Sequence, residues 1–191
     1  MTDQEVIEVF RQAGALLEGH FIYASGRHGS KFLQAARVLQ FPEHTERLCR
    51  ALAQRFLQDS VELVVGPATG GIILAYETAR HLHCRAAFSE KEEGGGMAVK
   101  RGFAIRPGLR ALVVEDIITT GGSVQKTIDH LRGRGVEIVG VGALIDRSGG
   151  AATFDCRFEA LAQLHLESYP PDQVPADLQQ APVLEPDNLV L

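Results

Sequence analysis

Apolar positions recur at helical spacing from the start of the chain. Val6, Phe10, Ala13 and Leu17 lie three or four residues apart and predict a helix that Thr2 or Asp3 can cap. Residues 19–34 then interleave aromatic and apolar side chains with Gly and Ser, which predicts a short strand, a turn at Ser25–Gly26 and a second strand. After Pro42, the spacing of Leu48, Ala51, Leu52 and Phe56 predicts a helix from about Glu43 to Gln58. The middle of the chain alternates: apolar runs at Leu63–Val65, Ala86–Phe88, Ala111–Val114 and Ile138–Leu144 read as buried strands, and Ile72–Leu82 and Ser123–Arg134 read as helices between them. From Tyr169 onward the chain carries closely spaced prolines, which predict an extended arm without a regular helix. No internal repeat or low-complexity tract interrupts this order.

Strands that alternate with helices imply βαβ units, hence an α/β fold with a central, mostly parallel sheet flanked by helices. In such a sheet ligands bind beyond the carboxyl ends of the strands. The 191 residues suit one domain, or one with a small appendage, and 45% hydrophobic residues supply a core. A net charge of -5 argues against a nucleic-acid face. Cys49, Cys84 and Cys156 are odd in number and far apart, which disfavours a disulfide framework or a zinc ribbon. The first residues show no basic or apolar leader, and no apolar run approaches the roughly 20 residues that span a bilayer, so the cytoplasm is the expected location, with no membrane partner.

The chemistry concentrates in Val113–Ser123. An apolar strand runs into two adjacent carboxylates, Glu115 and Asp116, then Ile117 and Ile118, then Thr119, Thr120, Gly121, Gly122 and Ser123 at a helix start. Small residues let successive backbone N–H groups form an anion-binding nest, and the helix adds the positive end of its dipole. The hydroxyls add donors, so the loop suits a phosphate monoester. The carboxylates repel phosphate; they suit ribose hydroxyls or a metal ion. The plainer alternative is a strand leading to a capped helix, with its acidic pair solvated.

This segment resembles the signature of the type I phosphoribosyltransferases, which bind phosphoribosyl pyrophosphate (PRPP): four apolar residues, two acidic, two apolar, Thr, then small residues. The resemblance implies the type I phosphoribosyltransferase fold, with Glu115 and Asp116 on the ribose hydroxyls and Thr119–Ser123 around the 5-phosphate. A second glycine turn, Val65–Ile72, corresponds to the family's pyrophosphate loop and contributes Thr69, Gly70 and Gly71. Some members carry a lysine where this chain has Gly70, so the charge for pyrophosphate must come from elsewhere or from Mg²⁺. Mg²⁺ is the implied cofactor, bound through PRPP and through Glu115 or Asp116.

Between Phe88 and Phe103, three consecutive glycines sit among charged residues. Alone this reads as a surface hairpin; within the family it resembles the mobile catalytic lid. Lys91 matches a family lysine. A further lysine and a histidine of the better-known branch are absent, and Lys100 and Arg101 stand as candidates for their charge roles.

The base is read from the rest of the chain. Gly19-His20-Phe21, Ser25-Gly26-Arg27-His28 and Gln34 resemble the N-terminal hood of the orotate phosphoribosyltransferases. Arg147, in Asp146–Gly150, falls where that family uses an arginine for orotate, whose carboxylate a planar guanidinium can grip at two points. Taken alone, Arg147 reads better as a surface ion pair with Asp146 or another acid. Thr119 and His28 are further candidate orotate contacts. The resemblance implies a single domain over 1–191, with a hood from about 1–40 plus the C-terminal segment and a core over about 41–165. It also implies a homodimer whose lid is shared between subunits, and the production of orotidine 5'-monophosphate for pyrimidine synthesis. The rival readings are a purine phosphoribosyltransferase, a PRPP-sensing regulator on the same fold, and a diphosphokinase that makes PRPP.

Overall fold

The computed structural model describes residues 1–23 and 25–186. Helix α1 (Asp3–Gln12) opens with a reciprocal cap: the Glu5 N–H donates to the Thr2 hydroxyl, and the Thr2 N–H donates to the Glu5 carboxylate. It ends earlier than its apolar spacing predicts. Gly14 takes a left-handed φ of 61° and turns the chain, so that Leu17 belongs to strand β1 (Leu16–Ile22) instead of the helix. Strand β2 (His28–Leu33) returns antiparallel, pairing Leu16 with Leu33 and Ile22 with His28.

Short α2 (Ala36–Leu39) leads to α3 (Pro42–Gln54), where Pro42 occupies the first turn, which needs no N–H bond. Phe56 lies past the end of α3 yet is fully buried. Strand β3 (Leu63–Pro67), helix α4 (Gly70–Leu82) and strand β4 (Arg85–Lys91) form a parallel crossover. Strand β5 (Met97–Val99) folds back antiparallel on β4. Strand β6 (Arg110–Ile118), helix α5 (Gly122–Gly133) and strand β7 (Glu137–Asp146) form the next crossover, and strand β8 (Phe158–Gln163) completes the sheet. The spatial order is β5-β4-β3-β6-β7-β8, parallel except at β5. The expected α/β class and mostly parallel sheet are observed; the edge strands β5 and β8 were not anticipated.

The sheet separates two apolar layers. Val64, Leu112, Val114 and Leu144 point towards a cluster with Val6, Phe10, Leu48, Leu52 and Leu74 from α1, α3 and α4. Val65, Ala111, Val113 and Val141 point the other way, onto Val124, Ile128 and Leu131 of α5. Burial on both faces is why these strands read as continuous apolar runs. Within the 1–40 stretch expected to form a hood, α1 packs into the main core; the β1–β2 hairpin forms a separate two-stranded sheet.

The C-terminal segment reaches back to that hairpin. Tyr169 and His28 exchange backbone hydrogen bonds at 2.8 Å, and the Leu184 N–H donates to the His20 carbonyl at 2.7 Å. Contrary to the expectation of a tail without helix, Ala176–Gln180 form a short helix, α6. Pro175 stands at its N-cap, where a missing N–H costs nothing, and the next proline falls after it ends. Residues 187–191, the last of the expected arm, lie outside the described residues. Among the described residues no helix is long and apolar enough to cross a membrane.

Candidate active site

The acidic pair lies inside β6, not after it: the strand continues through Glu115 and Asp116 to Ile118, which pairs with Asp146 of β7. Holding the pair in a ladder fixes the directions of both side chains. The Ile117 N–H donates to Asp116 Oδ1 at 2.6 Å, and the Asp116 N–H donates to Glu115 Oε1 at 3.2 Å. Beyond the strand, the chain turns through Thr119–Gly121 into α5. Gly121 takes φ 74°, and a Cβ there would lie 2.8 Å from the Phe154 ring, so only glycine fits this corner. The N-cap residue of α5, Gly121, has no side chain, and the Gly122 N–H donates to the Thr120 hydroxyl at a long 3.4 Å. A cavity of about 70 Å³ opens over this loop, lined by Glu115, Thr119, Thr120, Gly121, Gly122 and Ser123. It joins a helix N-terminus, three hydroxyls and small residues, the ingredients of a phosphate cradle.

The second loop is brought against the first. After Pro67 the peptide between Ala68 and Thr69 is cis, and Ala68 N–H donates to the Ser89 carbonyl at 2.8 Å. The turn folds so tightly that a Cβ on Gly66 would lie 2.0 Å from the Gly71 carbonyl oxygen. A Cβ on Gly70 would lie 2.1 Å from Asp116 Oδ2. Thr69–Gly71 and the acidic pair therefore share one floor, and a larger residue at position 70 would displace the carboxylate.

The lid candidates divide. The β4–β5 hairpin turns through Glu92–Gly96, closed by Glu92 N–H to the Gly96 carbonyl at 3.0 Å, and its tip is tethered by Lys126 of α5, whose ammonium donates to the Gly95 carbonyl at 2.7 Å. Arg101 forks onto Glu90 at 2.8 and 2.6 Å, and Lys100 lies 3.5 Å from Glu92. Lys91, exposed at the end of β4, makes no ion pair among the described residues.

Arg147 follows β7, and its N–H donates to the Ile118 carbonyl at 2.8 Å, which sets it beside the start of the Thr119 loop. It is not paired with Asp146, whose carboxylate accepts from the Ser148 N–H at 2.8 Å. Its Nε is buried without a hydrogen-bond partner, and burial lowers its pKa from the ordinary arginine value, opposed by Tyr23. Among the described residues Arg147 makes no ion pair, with Asp146 or with another acid. His28 is engaged elsewhere: its Nδ1 is 2.7 Å from His20 Nε2, and the other His20 nitrogen is 3.1 Å from the Ala181 carbonyl. The hood residue that meets Arg147 is Tyr23, which sequence reasoning did not single out.

Comparison with known proteins gives the family. Residues 37–155 match the sequence model of the phosphoribosyl transferase domain. The chain is 46% identical over 188 residues to the orotate phosphoribosyltransferase of Desulforamulus reducens and 47% identical over 188 residues to that of Pelotomaculum thermopropionicum, each alignment covering 98% of both chains. The chain belongs to the orotate phosphoribosyltransferase family. Among solved structures it resembles the family member from Aeropyrum pernix, with a TM-score of 0.72 and 29% identity over 83% of this chain and 93% of that one.

The family's acidic pair has a cost here that can be measured. Burial, and the charge of Asp116 next to it, raise the Glu115 carboxyl well above its ordinary value of 4.5; burial also raises Asp116. A carboxyl raised on folding makes the folded state bind more protons than the unfolded one, so stability falls as pH rises above the ordinary carboxylate range. Glu115→Gln removes that loss. Its ligand-free melting temperature is expected to exceed wild type by ~3–6 °C at pH 8, from about 1–2 kcal/mol, and to match it at pH 4. A difference independent of pH would show that the pair is not strained by ionisation.

Proposed function

We propose that this protein transfers ribose 5-phosphate from PRPP to N1 of orotate, giving orotidine 5'-monophosphate and pyrophosphate. The observation that carries this reading is the placement of a half-buried arginine, without a carboxylate partner among the described residues, beside the acid–hydroxyl–glycine loop. Arg147 supplies a cation where the base must lie, and a neutral purine has no use for one.

In this reading Glu115 and Asp116 accept hydrogen bonds from the ribose hydroxyls, and Thr119–Ser123 hold the 5-phosphate. Thr69–Gly71 hold the pyrophosphate, which Lys91 approaches from the lid. Arg147 and Thr119 orient orotate so that N1 faces the anomeric carbon. The protein forms no covalent bond to substrate; its contribution is positioning and preorganised charge as pyrophosphate departs and the ribose gains oxocarbenium character. Lid closure excludes the water that would hydrolyse PRPP. Among the described residues no cluster of three or more His, Cys, Asp or Glu is arranged to hold a metal ion, so Mg²⁺ fits as an ion carried mostly by oxygens of PRPP and water, with Glu115 and Asp116 as the protein's hard donors. When bound it neutralises charge on the leaving group. The reading also carries a homodimer with the lid shared between subunits; Ile73 and Tyr76, exposed on α4 at 48% and 68%, offer apolar surface for a second copy. It places the reaction in the cytoplasm.

Arg147→Ala tests the base assignment. The KM for orotate is expected to rise about 100-fold, the loss of a charge-assisted bidentate pair, with the KM for PRPP within about threefold of wild type. Equal changes in both would place Arg147 at the PRPP site instead.

A further inference from the structure

Tyr23 lies just past β1, with its ring against Arg147: the guanidinium carbon is 5.5 Å from the ring centroid. The ring is held from several sides. Its hydroxyl donates to the Lys31 carbonyl at 2.5 Å, its backbone N–H donates to the Arg27 carbonyl at 2.8 Å, and Phe32 lies 6.4 Å away, centroid to centroid. Gly29 makes the space: a Cβ there would lie 2.1 Å from the Tyr23 hydroxyl oxygen.

Arg147 needs such a neighbour. A half-buried guanidinium has lost part of its hydration, and its Nε has no partner. A carboxylate would restore the balance but would also neutralise the charge and compete with an anionic substrate. The face of an aromatic ring attracts the cation while leaving the outer edge of the fork free to donate.

We propose that Tyr23 is a positioning residue for base selectivity: its ring face holds the Arg147 fork in the orientation that receives the carboxylate of the base. The contact joins the hood hairpin to the end of β7, so the hood takes part in choosing the substrate. This inference rests on the assignment of Arg147 to orotate made above.

The test is a double-mutant cycle on steady-state constants for wild type, Tyr23→Leu, Arg147→Gln and the double variant, with Tyr23→Phe as the conservative control. Tyr23→Leu is expected to raise the KM for orotate about tenfold, leaving the KM for PRPP and kcat within about threefold. Tyr23→Phe, which keeps the ring, stays within about threefold of wild type, and Tyr23→Leu adds no loss in the Arg147→Gln background. Gly29→Ala, which crowds the ring out of place, repeats the Tyr23→Leu result and carries the test if that variant does not fold. An orotate KM unchanged in Tyr23→Leu or Gly29→Ala, or losses that add fully in the double variant, overturns the inference while leaving Arg147 in place. An orotate KM unchanged in Arg147→Gln overturns the assignment of Arg147 itself, and the inference with it.

Discussion

Replacing Asp116 by Asn is expected to lower kcat/KM for PRPP by about 100-fold or more while leaving the melting temperature at pH 8 no lower than wild type. The side chain sits where the two loops meet. One oxygen accepts the Ile117 N–H at 2.6 Å, and the other lies against the Gly70 backbone, where a Cβ would come within 2.1 Å. A ligand laid across both loops must pass this carboxylate. Asn keeps the shape and can still accept from Ile117, but it loses the charge that makes hydrogen bonds from ribose hydroxyls strong. The stability half of the expectation separates function from folding. Burial disfavours the ionised form of Asp116, and Glu115 stands beside it, so a neutral side chain relieves the folded state at high pH. A variant that loses activity and also melts well below wild type would show that Asp116 serves the fold. Urea or thermal melts beside initial-rate assays decide between the two.

Lys91→Ala is expected to lower kcat by about 10²–10³, the scale for removing one preorganised donor from a developing negative charge, with a much smaller change in the KM for PRPP. Lys100→Ala and Arg101→Ala are expected to cost less than about tenfold. The ranking follows from the partners. Arg101 is forked onto Glu90 and Lys100 faces Glu92, so neither is free to move onto the leaving group without breaking an interaction within the hairpin. Lys91 sits at the end of β4, two residues past Ser89, whose carbonyl holds the backbone of the second loop. Its ammonium has no such competitor among the described residues. Single-turnover measurements at saturating PRPP isolate the chemical step. Equal losses for all three variants would mean that the lid acts through its summed charge; a larger loss for Arg101→Ala would mean that the Glu90 pair opens during turnover.

The acidic pair and its loop were legible because their signal is local. An apolar run, two carboxylates, two apolar residues and a hydroxyl-glycine turn occupy one continuous segment, and strand, turn and helix follow from it directly. The parallel core was legible for a related reason: strands covered on both faces leave unbroken runs such as Leu63–Val65 and Ala111–Val114. The edges were not. β5 is three residues long and lies between charged and glycine-rich stretches, and β8 is a short run in which only Leu161 and Ala162 are buried. The tail was misread because proline forbids a helix interior but not a helix start, and Pro175 stands at the start of α6. Arg147 was legible as a candidate, yet only the structure separates it from an ion pair with Asp146. Tyr23 carried no signal at all: an aromatic near the end of a hairpin strand is ordinary, and its contact depends on how the hood meets the main sheet.

The most direct test of the whole account is the fall in orotate absorbance when the purified protein is given PRPP and Mg²⁺, run beside adenine, hypoxanthine, xanthine and uracil. The account predicts turnover with orotate, its dependence on Asp116 and Arg147, and none with the purines. Turnover of a purine with none of orotate would contradict the reading of Arg147 and the hood, and PRPP binding with no turnover of any base would contradict the enzyme.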